Sequence, residues 1–187
     1  MSTIVYKTCS EVETSLVHIC DACNNTEMAR VRGVALIKPG TQITVPAEAN
    51  EWQTAITAGN IHIIPNTTGS LEDAEKEGDG YGDEKSRLLG HDYTLTFKDP
   101  NYTQNKAFYE AAEKMNWNVA FRTETQLHII TDAKATLVAK QTIDESLDSP
   151  VVWEVTMKWT SDTKPQMTPC APVRSLFECF EVVEDNE

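Results

Sequence analysis

The sequence predicts a mainly β protein of the α+β class: an antiparallel β-sandwich or rolled sheet with one packed α-helix and a long loop arm. Three observations predict it. Polar and apolar residues alternate over several short runs, the pattern of strands with one buried face; the clearest are residues 151–159 (VVWEVTMKW) and 91–98 (HDYTLTFK). These runs follow one another across short turns and do not alternate regularly with helices, which argues against a doubly wound parallel sheet. One polar stretch, residues 66–90, exceeds the usual length of a connection in a compact domain and reads as an acidic arm. The 187 residues suit a single domain, 1–187.

The elements follow in chain order. Residues 13–23 (ETSLVHICDAC) place Leu16, Ile19, Cys20 and Cys23 at helical spacing. Residues 29–37 (ARVRGVALI) read as a strand, Pro39-Gly40 as a turn and residues 41–45 as a further short strand. Residues 46–60 (PAEANEWQTAITAGN) predict a helix that opens at Pro46, closes at Gly59 and buries Trp52, Ala55 and Ile56. A short apolar strand over 61–64 stops at Pro65-Asn66, and the polar stretch begins. After the strand 91–98, Asp99-Pro100-Asn101 turns into a helix over 104–115. That helix is capped by Asn101 or Thr103 and turns Phe108, Ala111, Ala112 and Met115 inward. Residues 118–123, 126–131 and 135–141 read as strands, and DESLDSP as a polar loop. Trp153 and Trp159, with Tyr93 and Phe97, sit at period two on strands, which is the pattern of a core face rather than a ligand platform.

The formal net charge is −13. That argues against binding nucleic acid through its phosphates, and against an anionic membrane surface. The acidity is local. Residues 71–85 carry Glu72, Asp73, Glu75, Glu77, Asp79, Asp83 and Glu84 against Lys76 and Lys85, and the tail 178–187 carries five acids and no base. Solvated segments thus hold most of the excess. No run approaches the ~18 apolar residues of a membrane span. Residues 1–7 lack the pattern of a secretory leader, so the expectation is a soluble chain made inside the cell.

Candidate chemistry is sparse. Cys20-Asp21-Ala22-Cys23, with Cys9 or His18 and Cys170, is a candidate zinc site, but no second pair at matching spacing accompanies it. Cys170 and Cys179 are nine apart, and five cysteines without a leader read as reduced, semi-buried thiols. Residues 79–84 (DGYGDE) invite a calcium reading, yet the ligand order fails and position twelve is Gly90 rather than a closing Glu. The glycines of GDGYG follow no predicted strand and open no helix, so a phosphate loop does not fit. His18, His62, His91 and His128 fall in separate elements without ligand spacing and read as surface or strand-edge residues. No nucleophile–base motif is present, so the expectation is a protein that is not an enzyme and carries no cofactor.

Residues 90–169 carry a further pattern: the strand HDYTLTFK, a helix within NKAFYEAAEKMNWNVAFRTE, the strand ATLVAKQTI, then VVWEVTMKW and PQMTP. In this order they resemble the tail tube and tail ring proteins of tailed bacteriophages, over about half of the chain. In general style the sequence is also similar to virion proteins of phages infecting Bacteroidetes, including the crAss-like group. The resemblance implies a tail-tube-like fold and a virion structural protein of the tail, made in the host cytoplasm. Its subunits would form a hexameric or higher ring, meet neighbouring tail or portal-vertex proteins and pass DNA without specific binding. An acidic lumen would repel the phosphates. On this reading the arm 66–90 is an inter-subunit contact arm of Glu72, Asp73, Glu77, Asp79, Tyr81, Asp83 and Glu84, with Tyr81 as its anchor. The alternative is a soluble metal- or ligand-binding module using Cys20/Cys23 or the loop 79–84.

Overall fold

The structure, a computed structural model, describes residues 30–78, 87–143 and 150–177. In chain order these form β1 (Val31–Ile37), α1 (Ala49–Thr57), β2 (Ile61–Gly78), β3 (Arg87–Asp99), α2 (Lys106–Ala112), β4 (Trp117–Arg122), β5 (Gln126–Thr142), β6 (Val152–Ser161), β7 (Gln166–Pro169) and a 3₁₀ helix, Ala171–Phe177. The helix read over 13–23, most of the DESLDSP loop and the acidic tail 178–187 lie outside the described residues.

All strand pairings are antiparallel. Around the ring the order is β1, β2, β3, β6, β5, β4, and β4 pairs with both β5 and β1, so six strands close into a barrel. The mainly β expectation holds; closure corrects the sandwich or rolled sheet. Two long strands make closure possible, because each serves different neighbours along its length. The first part of β2 pairs with β1 up to Gly69, and Thr68 onward pairs with β3. The change falls near Asn66, whose φ of 56° bends the strand. Likewise β5 meets β4 over Leu127–Ile130 and β6 over Thr136–Thr142, bending near Lys134 at φ 45°. Residues 126–131 and 135–141, read separately from sequence, are thus one strand.

Alternate residues feed two cores. Leu36, Leu95, Phe97, Val119, Leu137, Val155 and Met157 fill the barrel, and Tyr93, Trp153 and Trp159 join them, as the period-two pattern required. Outside the barrel wall, Ala35, Ile37, Ala120 and Leu127 pack against Trp52 of α1 and Val173 and Phe177 of the 3₁₀ helix. Strand β4 lies between the two cores, so all six of its residues are buried. Gly69 is required where β2 crosses Phe97: a Cβ there would lie 2.5 Å from the Thr96 carbonyl and 2.7 Å from Phe97 Cβ.

Several boundaries differ from the sequence reading. Helix α1 starts at Ala49 rather than Pro46. The Glu51 carboxylate accepts the Val45 N–H and the Trp52 indole donates to the Pro46 carbonyl, which holds the approach as a turn. Residues 41–45 form no strand; both edges of neighbouring β1 are already taken by β2 and β4. The helix does end at Gly59, with the N–H groups of Gly59 and Asn60 closing on the Ile56 and Ala55 carbonyls. Helix α2 is shorter than 104–115, and its N-cap position is Asn105 rather than Asn101 or Thr103; Asn105 makes no side-chain cap bond and its Nδ2 donates to Asp99. Its buried residues are Tyr109 and Ala112, whereas Ala111 and Met115 are exposed.

The largest correction concerns the arm. Residues 66–78 are not a loop but the continuation of β2, and residues 87–90 already belong to β3. The strand was hidden because only Leu71 supplies an apolar side chain to the core along this length. The GDGYG segment therefore does follow a strand, as the start of the connection between two antiparallel ones.

Candidate functional site

The site is a two-stranded ribbon and the barrel face beneath it. Strand β3 stays paired with β6 from Asp99↔Trp153 to His91↔Ser161. Strand β2 continues alongside β3 to Gly78↔Arg87. The end of the ribbon therefore outruns β6. A register shift between Lys76 and Glu77 lies at the point of departure, opposite Gly90. Gly90 has a φ of 141°, and a Cβ there would sit 3.0 Å from Asp162 Oδ1, so the close crossing depends on glycine.

Just on the barrel side of that shift, His91 Nδ1 and Asp73 Oδ1 are 2.7 Å apart, bridging the two strands. The His91 ring stacks on Tyr93 at 5.8 Å, and Tyr93 stacks on Trp159 at 5.3 Å. The Tyr93 hydroxyl and the Trp159 indole N–H are buried with no hydrogen-bond partner among the described residues. Burial, then the negative charge of Asp73, pushes the Tyr93 hydroxyl above its ordinary value. This column joins the ribbon to the barrel core.

Of the predicted contact residues, Glu72 and Asp73 lie on β2 and are exposed. The backbone of Glu77 pairs with Leu88 inside the ribbon. Asp79, Tyr81, Asp83 and Glu84 lie outside the described residues, as do Cys9, His18, Cys20, Cys23 and Cys179. Cys170 is buried in the outer core. Among the described residues no group of three or more His, Cys, Asp or Glu side chains is arranged to hold a metal ion.

Below the ribbon, the outer face of β2, β3, β6 and β5 carries no covering helix among the described elements. Its outward residues line up in register. Glu72, Thr94, Lys158 and Thr136 form one row; Ser70, Thr96, Thr156 and Val138 the next; Thr68, Lys98, Glu154 and Lys140 a third. Thr160 donates to Asp92 at 2.6 Å at the ribbon end. Short hydroxyl side chains dominate, and the acids Glu72, Asp92 and Glu154 are matched by Lys98, Lys140 and Lys158.

Helix α2 is anchored by a residue the sequence reading treated only as part of a turn. Asp99 is fully buried at the end of β3. Its Oδ1 accepts from the Asn101 N–H (2.9 Å) and Nδ2 (3.1 Å), and its Oδ2 from Asn105 Nδ2 (2.8 Å) and the Tyr109 hydroxyl (2.8 Å). An Asp before Pro-Asn at a strand end is the available signal, since Asp side chains bond backbone N–H groups two residues on. Burial first, then the Asp99 charge and hydrogen bond, raise the Tyr109 hydroxyl well above its usual range. A groove of about 490 Å³ runs beside this anchor, lined by Ile61, His62, Ile64, Asp99, Asn105 and Phe108 among others. His62 meets Phe108 and Trp117 edge to face, and burial, then the Lys38 charge, lower its pKa. His128 stacks on Phe121 at 4.7 Å.

No helix among the described residues is long and apolar enough to cross a membrane. No protein-family model matches this sequence, and no curated protein matches it.

Proposed function

We propose that this chain is a virion structural protein, a subunit of a phage tail tube or tail ring that assembles into a DNA conduit. The observation that carries the reading is the β2–β3 ribbon outrunning β6 beside a bare, in-register, hydroxyl-rich barrel face. A ribbon whose outer edges meet no strand among the described residues is a template for contact with another chain. The bare face suits a channel wall: it carries no surplus of lysine to hold phosphates, so a duplex meets it without forming a tight complex. This face is charge-balanced, so the acidic lumen of the sequence reading is narrowed to the segments that flank it.

Negative-stain microscopy of the purified chain tests the proposal. Rings or tubes are the expected result; a strict monomer at high concentration by light scattering refutes it. The contact role of the ribbon has its own test. Deleting residues 70–86 would remove half of β2 and open the barrel, so the informative change replaces residues 79–86 with Asn-Gly, a turn matched to a two-residue hairpin. This variant keeps both strands of the ribbon and is expected to fold and to lose assembly; unimpaired assembly refutes the connecting segment 79–86 as a contact.

A further inference from the structure

Strand β5 has an edge that its own barrel leaves open. Pairing with β4 ends at Trp117↔Ala135, and β7 covers only Gln126–Ile129. From Thr136 to Thr142, β5 has β6 on one side and no strand on the other among the described residues. Val138 in this stretch is 49% exposed, an apolar side chain on an open edge, which invites strand addition. One side chain reaches that edge. The Oε1 of Glu113 accepts the Ala139 N–H at 2.8 Å, across 26 residues of sequence. Glu113 is the C-cap residue of α2. Its backbone N–H closes the last turn on the Tyr109 carbonyl, but a carboxylate there is disfavoured by the helix dipole and gains nothing from the helix. Its benefit lies at the strand edge.

We propose that Glu113 is an edge guard: it holds the β5 edge closed in the free subunit, and its release admits the β2 edge of a second copy. The proposal rests on the self-assembly reading above. The choice of partner follows from the sheet. The bare face is bordered by β5 at one side and, beyond Gly69 where β1 stops pairing, by β2 at the other. β2 and β5 run antiparallel to each other across it, so a copy rotated alongside sets its β2 antiparallel to this β5 and continues the sheet. The charges match: residues 70–75 (SLEDAE) carry Glu72, Asp73 and Glu75, and residues 134–142 (KATLVAKQT) carry Lys134 and Lys140. Such a contact joins different surfaces of identical chains, the type that closes into rings. Glu113 opposes it twice, by occupying an edge amide and by repelling the acids of β2.

The experiment compares the full-length chain with E113A. Amide hydrogen exchange at Ala139 is read in dilute solution, and self-association by sedimentation over a concentration series. The expected result is exchange about fivefold faster at Ala139 and association at about fivefold lower concentration, the scale of one lost hydrogen bond. K140E and E72K, each expected to weaken association, should restore it when combined; this pair tests the partner edge independently of how E113A folds. Unchanged exchange at Ala139, an association threshold that does not fall, or no rescue in the double variant overturns the proposal. If the wild-type chain assembles and E113A gains nothing, only the guard falls. If both stay monomeric throughout, the assembly reading falls with it.

Discussion

Removing the Asp99 carboxylate should be among the most costly single changes in this protein. The side chain is fully buried and accepts four hydrogen bonds, two on each oxygen, from Asn101, Asn105 and Tyr109. Bonds to a carboxylate contribute about 1.5–3 kcal/mol each. The four do not add, because Asn101 is exposed and can turn to water. The Tyr109 hydroxyl has no such escape, for its residue is 1% exposed. Asp99→Ala therefore loses the carboxylate and strands a buried donor, a cost of about 3–5 kcal/mol. Tyr109→Phe keeps the ring against Trp153, at 5.1 Å, and removes one bond, about 1.5–3 kcal/mol. Urea unfolding of the two single variants and the double variant separates the terms. In the Asp99→Ala background the Tyr109→Phe change should cost almost nothing, since its acceptor is gone. An equal cost of Tyr109→Phe in both backgrounds would falsify the anchor, as would an Asp99→Ala cost below about 1 kcal/mol.

Three further outcomes are expected. Gly69→Ala drives a Cβ into the Thr96 carbonyl and Phe97, neither of which is a flexible side-chain end, so it should destabilise by about 2–3 kcal/mol in denaturant titrations; a neutral result removes the close strand crossing. Trp52→Ala empties the outer core beside Phe177, whose ring lies 5.8 Å away, and should cost about 3–5 kcal/mol, with calorimetry as the check. His62 is held below its ordinary 6.5 by burial and Lys38, so the folded state binds fewer protons than the unfolded one below that pH. Its contribution to stability is present in full above about 6.5 and is lost as pH falls through the lowered folded value. Urea midpoints should thus fall less steeply with acid in His62→Gln than in wild type; parallel curves contradict the shift.

How much was legible follows from where each signal lives. Residues 91–98 and 151–159 announce themselves because each strand has one face in the core and the other in water, so apolar residues recur at every second position. The distal half of β2 has the same geometry without the signal. Its inward positions after Leu71 are Asp73, level with Tyr93 but exposed at the sheet border and paired with His91, and Glu75, so no apolar alternation marks them. Barrel closure was illegible for another reason. It depends on bends at Asn66 and Lys134, and a lysine at positive φ leaves no pattern to read. The four residues of β7 are too few for any periodicity. In the candidate site, Glu72 and Asp73 stood out by local charge density. The partners His91 for Asp73 and Ala139 for Glu113 lie 18 and 26 residues away, and only the fold brings them together.

Closing a sheet removes its edges, and with them the ordinary route to assembly. This barrel is closed, but its strands are staggered, so lengths of several extend past their neighbours. β2 runs on past β1, β3 runs on past β6, and the second half of β5 runs on past β4. The surplus lengths all belong to the four strands of the bare face, and they fall at opposite borders of it. One border is acidic and the other carries lysines, while the face between them is balanced. A subunit built for independent existence would gain from covering or shortening such edges. Here one is instead met by a single carboxylate at an otherwise unfavourable helix end. A contact made by one side chain can be exchanged for a strand at little cost, and on the proposed assembly reading that reversibility is what keeps a subunit separate until a ring forms.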